Sequence, residues 1–146
     1  KKETGSVINY PGNTSTCPSI IGAKVDVLIT AAIPDFIKSK DVDNVNAKII
    51  VEGSNIPMSE KIEQMLHNKG VLIVPDFVAN AGGVISSYVE YIGGSEKKMF
   101  EMVKEKIRKK TSFVLKTAKK SKIYPRKAAL ESAEERIMKK CNICKK

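Results

Sequence analysis

Hydrophobic positions follow one pattern up to Gly94 and another beyond it. Three short apolar runs rich in β-branched residues, Lys24–Ala32 (KVDVLITAA), Ala47–Glu52 (AKIIVE) and Val71–Val74 (VLIV), are each bounded by turn formers. Gly22 and Pro34 flank the first, Gly53 closes the second, and Gly70 and Pro75-Asp76 flank the third. Continuous apolar runs of this length predict buried parallel strands. Asp35–Asp43, with Phe36 and Ile37 apolar, reads as a short helix or turn. Ile62, Met65 and Leu66 recur at helical spacing, with Ser59 as N-cap, Glu60 at the positive helix end and Asn68-Lys69-Gly70 as the stop. Behind the third run a short turn leads through Ala79–Val84 into an apolar helical stretch. Strands alternating with helices through short turns predict parallel pairing with right-handed crossovers.

Past Gly94 the period is helical throughout. Met99, Val103, Ile107, Val114 and Ala118 form a stripe supported by Phe100 and Phe113. Ser121-Lys122 interrupt it, and Pro125 suits the first turn of a further helix whose apolar face is Ala129, Ala133, Ile137 and Cys141. Such stripes serve equally for packing on a preceding domain or for oligomerisation. Residues 1–23 show little periodicity and many turn formers, and Thr4-Gly5-Ser6-Val7 reads as at most a short extended piece.

Composition narrows the class. A chain of 146 residues with 42% hydrophobic content is one domain's worth of globular protein. No apolar run approaches the length of a membrane span. The net charge of +10 invites a nucleic-acid reading. However, most of the 26 basic residues lie from Lys97 onward in amphipathic stretches interleaved with Glu, and aromatics are only 5%. Solvated helix faces explain the charge better, so neither nucleic acid nor membrane is expected as a partner. Cys141-Asn142-Ile143-Cys144 is a single CxxC, Cys17 is remote and His67 is the lone histidine. Four converging zinc ligands are not in sight, so no metal is expected. An odd thiol count without a secretory signal points to a reducing, cytoplasmic setting. The start at Lys1-Lys2-Glu3, with no initiator methionine, reads as a chain cut from a longer one.

Candidate chemistry gathers where the strands end, as ligands do in open α/β sheets. Gly82-Gly83 cost helix stability, roughly 1 kcal/mol each, which asks for something approaching the backbone. Asn80 just ahead of them donates and accepts at once. Gly53 permits a sharp exit from the second strand, and Asn55 offers a similar amide. Read alone, Gly53-Ser54-Asn55 is a turn. Ala31 and Ala32 let a flat ligand pass the end of the first strand, although tight packing of small residues explains them as well. Val84 and Ser87 lie one helical turn apart on one side, and a helix-surface Ser87 bonded to its own backbone is the plain alternative.

The string Pro75-Asp76-Phe77-Val78-Ala79-Asn80-Ala81-Gly82-Gly83-Val84, with Ser87-Tyr88 behind it, resembles the amino-acid dehydrogenases, the glutamate dehydrogenases most closely. Glu52-Gly53-Ser54-Asn55 and Arg126-x-Ala128-Ala129 with Arg136-Ile137 extend the likeness. It implies an α/β fold: the second half of a Rossmann-like domain (residues 1–94, about three parallel strands), followed by long C-terminal helices (95–146) packed on it as one structural unit. It implies that Ala31, Ala32, Gly53, Asn55 and Asn80 bind NAD or NADP, and that Val84 and Ser87 line the substrate pocket. Relatives acting on leucine, phenylalanine or valine generally place an apolar residue at Ser87, so its hydroxyl favours glutamate. The implied reaction is reversible oxidative deamination of L-glutamate to 2-oxoglutarate and ammonia.

The glycine loop G-x-G-x-x-G and the family's catalytic lysines and aspartate have no counterpart here, so no catalytic residue is assigned. The chain alone is expected to be inactive without an N-terminal substrate domain. Homo-oligomerisation is possible, and the choice between NAD and NADP is not legible. The sequence departs from the family at Thr30, commonly proline, and at Ile56-Pro57-Met58-Ser59, commonly Gly-Pro-Thr-Thr. A leucine, phenylalanine or valine dehydrogenase, and a non-catalytic regulatory or remnant subunit, stand as alternatives.

Overall fold

The three apolar runs assemble into one parallel sheet. In the computed structural model, which describes residues 20–141 together with Gly5, Asn9, Pro11 and Gly12, they become β1 (Val27–Thr30), β2 (Ile49–Glu52) and β3 (Leu72–Val74). The expected extended piece at Thr4–Val7 and most of the CxxC lie outside the described residues. Strand order is β1-β2-β3. Val27 stands opposite Ile49 and Thr30 opposite Glu52, while Ile49 stands opposite Leu72. A 3-10 turn at Ser39–Asn44 lies between β1 and β2, and helix α1 (Glu60–Asn68) between β2 and β3. Then come α2 (Asp76–Ala79), α3 (Gly82–Tyr91), α4 (Glu96–Ser121) and α5 (Pro125–Lys140).

Strand alternation divides the sheet into two faces. Leu28, Ile50 and Ile73 pack with Ile37, Val42, Met58, Ile62 and Leu66 in one core. On the other face Val51 and Val74 meet Val78, Val114, Ala118, Ala128 and Ala129 from α2, α4 and α5. That second layer stops short of the edge strand. The expectation that β1 is buried therefore holds for one face only: Leu28 and Thr30 are buried, whereas Val27 is 45% and Ile29 62% exposed.

The helices depart from their predicted stripes in the same way. On α1 Ile62 and Leu66 are buried but Met65 is exposed. Helix α4, 26 residues and so roughly 39 Å long, outruns the three-stranded sheet, and only Val114 and Ala118 of it are buried. Phe100 and Phe113 are exposed. Helix α5 buries Ala128 and Ala129 while Ile137 is exposed, because its last turns extend past the sheet. Pro125 occupies the first turn as expected. The Ser95 hydroxyl caps α4 by accepting from Lys98 N–H, whereas Ser59 precedes α1 without a side-chain cap. Cys141 at the end of α5 is disulfide-bonded, which the reading of reduced thiols did not anticipate. Among the described residues no helix is long and apolar enough to cross a membrane, and no group of His, Cys, Asp and Glu is arranged to hold a metal.

Candidate functional site

Parallel strands deliver their connecting loops to one edge of the sheet, and the loops after β1, β2 and β3 all leave there. They enclose a cleft of about 620 Å³ lined by Ala31, Ala32, Gly53, Asn55, Asn80, Val84 and Ser87, with Pro34, Ser54 and Gly83. All seven residues singled out from the sequence thus meet in one place.

Gly53 is required by close approach: a Cβ there would sit 3.1 Å from the Thr30 carbonyl oxygen and 3.3 Å from Ala31 Cβ. That approach lets Ser54 N–H donate to the Thr30 carbonyl at 2.6 Å, closing the loop of β2 onto the end of β1. Ser54 Oγ also donates to the Ile33 carbonyl. Across the cleft, Asn80 Nδ2 donates to Asn55 Oδ1 at 2.6 Å. This bond leaves Asn80 an amide oxygen that accepts and Asn55 an amide nitrogen that donates.

The two glycines of α3 differ. A Cβ on Gly82 would meet Val103 of α4 at 3.4 Å, whereas one on Gly83 would meet nothing within 4 Å. Only Gly83 opens onto the cleft. Val84 is 76% exposed on the rim. Ser87 also lines the cleft, but its hydroxyl donates back to the Gly83 carbonyl at 3.2 Å, the plain alternative weighed for it.

Beneath the cleft lies a charged cluster that sequence reasoning missed. Arg126, in the first turn of α5, donates through Nη2 to Glu52 Oε2 and Asp76 Oδ1, each at 3.0 Å, and through Nε to Glu63 Oε1 at 2.6 Å. Its guanidinium lies 5.2 Å from the Phe77 ring centroid, in cation–π range. The three acids are buried, Glu52 completely. Backbone groups finish the network: Asp76 N–H donates to Glu52 Oε2 at 2.9 Å and Ile56 N–H to Asp76 Oδ2 at 3.0 Å.

Three carboxyls against one guanidinium cannot all ionise cheaply in a buried site. Burial, and then the Glu63 charge, push Glu52 up to about 8. Burial also raises Glu63, although the Arg126 hydrogen bond opposes it. Burial works against ionised Asp76 too, but the N–H groups of Ile56 and Phe77, with Arg126, hold it below the usual carboxylate range. Oε1 of Glu52 and Oγ1 of Thr30 find no hydrogen-bond partner among the described residues. The available signal was Arg126 itself: a cation in the first turn faces the positive end of its own helix and needs an acidic partner.

Comparison with known proteins now places the chain. The family model for Glutamate/Leucine/Phenylalanine/Valine dehydrogenase matches residues 1–142. The chain belongs to that family. A glutamate dehydrogenase of Aeropyrum pernix is 36% identical over 95% of the chain, and an NADP-specific glutamate dehydrogenase of Saccharolobus shibatae 41% over 62%. The chain spans only 36% and 22% of those two relatives' lengths. Among solved structures, the hetero-hexameric glutamate dehydrogenase of Thermus thermophilus superposes with a TM-score of 0.80 at 26% identity, over 93% of this chain and 33% of that one. The L-tryptophan dehydrogenase of Nostoc punctiforme gives 0.76 at 33% identity, over 82% and 36%. In fold this member of the dehydrogenase family is therefore a partial Rossmann-like α/β unit of three parallel strands followed by long helices.

Proposed function

We propose that the cleft between the loops of β1, β2 and α3 binds the nicotinamide end of NAD or NADP, and that the chain forms this part of a glutamate dehydrogenase. The observation that carries the reading is the convergence of Asn55 and Asn80, bonded to each other at 2.6 Å, in a cleft walled by Ala31, Ala32 and Gly53. A carboxamide presents one acceptor and one donor pair, which match the donor left on Asn55 and the acceptor left on Asn80. The bound nicotinamide supplies hydride transfer to and from the α-carbon of the amino acid. The small side chains at Ala31 and Ala32 and the open backbone at Gly83 admit a planar ring. Asn55 and Asn80 set its orientation, which is how positioning accelerates a two-substrate step.

Val84 and Ser87 stand on the far wall of the same cleft, one helical turn apart, where the substrate side chain lies. With its hydroxyl turned from Gly83, Ser87 reaches a distal carboxylate, so L-glutamate and 2-oxoglutarate are the substrates that suit this wall. None of the residues lining the cleft titrates near neutrality. On this reading the proton transfers of oxidative deamination fall to a substrate domain elsewhere in the complete protein, and another nucleotide-binding half extends the sheet beyond β1, the edge strand among the described residues. Residues 1–94 and 95–146 act together as one unit of that assembly, within the cytoplasm.

The test is to express the full-length gene product and follow nicotinamide reduction with L-glutamate, L-leucine, L-phenylalanine and L-valine against NAD and NADP. Activity confined to L-glutamate is expected. A preference for an apolar amino acid reassigns the substrate, and no turnover with any of them favours a non-catalytic dehydrogenase-like subunit.

A further inference from the structure

The turn that carries Asn55 is held in a conformation its own sequence resists. Ile56 has φ 45, in the left-handed region. It is β-branched and precedes Pro57, and both features disfavour that region. Such a residue persists only where its surroundings over-determine it. Glycine is the residue for which φ 45 costs little. This chain keeps the left-handed turn and lacks the residue that makes it free.

Three bonds hold the turn. The Ile56 carbonyl accepts from Asp35 N–H at 2.8 Å, and Asp35 is itself left-handed at φ 48. The Pro57 carbonyl accepts from Ile37 N–H at 2.9 Å. On the other side, Ile56 N–H donates to Asp76 Oδ2 at 3.0 Å. Asp76 is in turn fixed through Oδ1 by Arg126, which also binds Glu52, the residue opening the loop. Arg126 thus grips both ends of the segment Glu52–Ile56 from α5, more than sixty residues further along the chain. Its side chain is 14% exposed and lies outside the cleft lining, so it acts on the cleft indirectly, through this turn and through Asp76, whose carbonyl accepts from Asn80 N–H at 2.8 Å.

We propose that Arg126 is a positioning residue for the nicotinamide site: through Asp76 and Glu52 it clamps the strained Ile56 turn and so sets Asn55 against Asn80. The proposal rests on the reading of this cleft as a nicotinamide site. It makes the placement of α5 a determinant of cofactor affinity. If the clamp is loosened, the turn relaxes towards ordinary φ, and apparent affinity falls by the fraction of molecules that keep the competent turn.

The experiment measures NADH and NADPH dissociation constants by fluorescence on the full-length gene product. The variants are Arg126→Lys, which keeps the charge but loses the forked donors, Asp76→Asn, Ile56→Gly, and the double variant R126K/I56G. Hydrogen exchange of the peptide covering residues 53–57 is followed in each without cofactor. Arg126→Lys and Asp76→Asn are expected to speed that exchange and to weaken binding about tenfold, a competent fraction near one in ten. The double variant is expected to bind within about twofold of Ile56→Gly alone, because glycine removes the strain that the clamp restrains. Unchanged exchange and affinity in Arg126→Lys overturn the proposal, as does a tenfold loss that Ile56→Gly fails to rescue, which makes Arg126 a support of the fold only. Absence of dinucleotide binding in the unsubstituted protein removes the nicotinamide reading beneath it and the proposal falls too. Should both single variants unfold, as circular dichroism reports, rescue of the fold without rescue of binding in R126K/I56G is again a refutation.

Discussion

Replacing Glu52 by glutamine tests the buried cluster most directly. In the folded chain burial and the neighbouring Glu63 push Glu52 up to about 8, against 4.5 for an ordinary glutamate. The native state therefore keeps a proton that the unfolded chain releases once pH exceeds about 4.5. Over that window the unfolded state binds fewer protons, so stability falls as pH rises and is fully present only at the acid end. One proton changes stability by at most about 1.4 kcal/mol per pH unit, and the whole span bounds the loss near 5 kcal/mol. That is comparable to the entire stability of many domains, about 5–15 kcal/mol. Burial raises Glu63 as well, so it acts in the same direction. Asp76 is lowered, so its contribution is lost only as pH falls below the usual carboxylate range, outside this window.

Glutamine copies the protonated acid. Its carbonyl oxygen can accept from Asp76 N–H and Arg126, as Glu52 Oε2 does, and its amide takes the place of Oε1, the oxygen without a partner. The two proteins should match near pH 5, and by pH 8 Glu52→Gln should be the more stable by about 2 kcal/mol or more. Urea unfolding followed by circular dichroism at each pH unit from 5 to 8, at fixed ionic strength, measures both. A wild-type midpoint that is flat or rising over that range, or an undiminished slope in Glu52→Gln, refutes the placement of the proton on Glu52.

Other outcomes follow from single contacts. Asn80→Ala breaks the bond to Asn55 and, on the proposed reading, one contact to the carboxamide, so NADH or NADPH affinity should fall about tenfold with little change in urea midpoint. Gly53→Ala forces a Cβ to 3.1 Å from the Thr30 carbonyl and should destabilise by about 1–3 kcal/mol while weakening cofactor binding, read by urea titration and fluorescence. Val114→Ala opens a void where α4 meets the sheet and should lower stability by about 2 kcal/mol, read by urea titration, while leaving the proposed cofactor affinity of the full-length protein unchanged.

Local pattern carried the strands, the helices and the cleft. Each strand was bounded by its own turn residues, and parallel pairing brings the ends of consecutive strands to one edge, so Ala31, Asn55 and Asn80 converged without any long-range information. What local pattern cannot state is how far a covering layer extends. Val27 and Ile29 look like Ile50 and Ile73 in sequence, yet lie bare because the layer of α4 and α5 on their face covers Val51 and Val74 but stops short of β1. The charged cluster was illegible for a related reason. Glu52 and Asp76 read singly as strand ends and Glu63 carried no signal of its own, and their shared partner lies 50 to 74 positions away.

The two layers of the site answer different physical demands. The cleft is lined by neutral groups, and a neutral amide pair, on the proposed reading, would recognise a carboxamide without desolvating a charge. In the cluster beneath, the bond that reaches the left-handed Ile56 comes from Asp76, the acid held below the usual carboxylate range, and hydrogen bonds to ionised groups contribute about twice what neutral ones do. If Arg126 positions the turn as proposed, Ile56 ties the cleft to α5, and a change that shifts α5 is felt at Asn55 through Arg126 and Asp76 as well as in the core at Ala128 and Ala129.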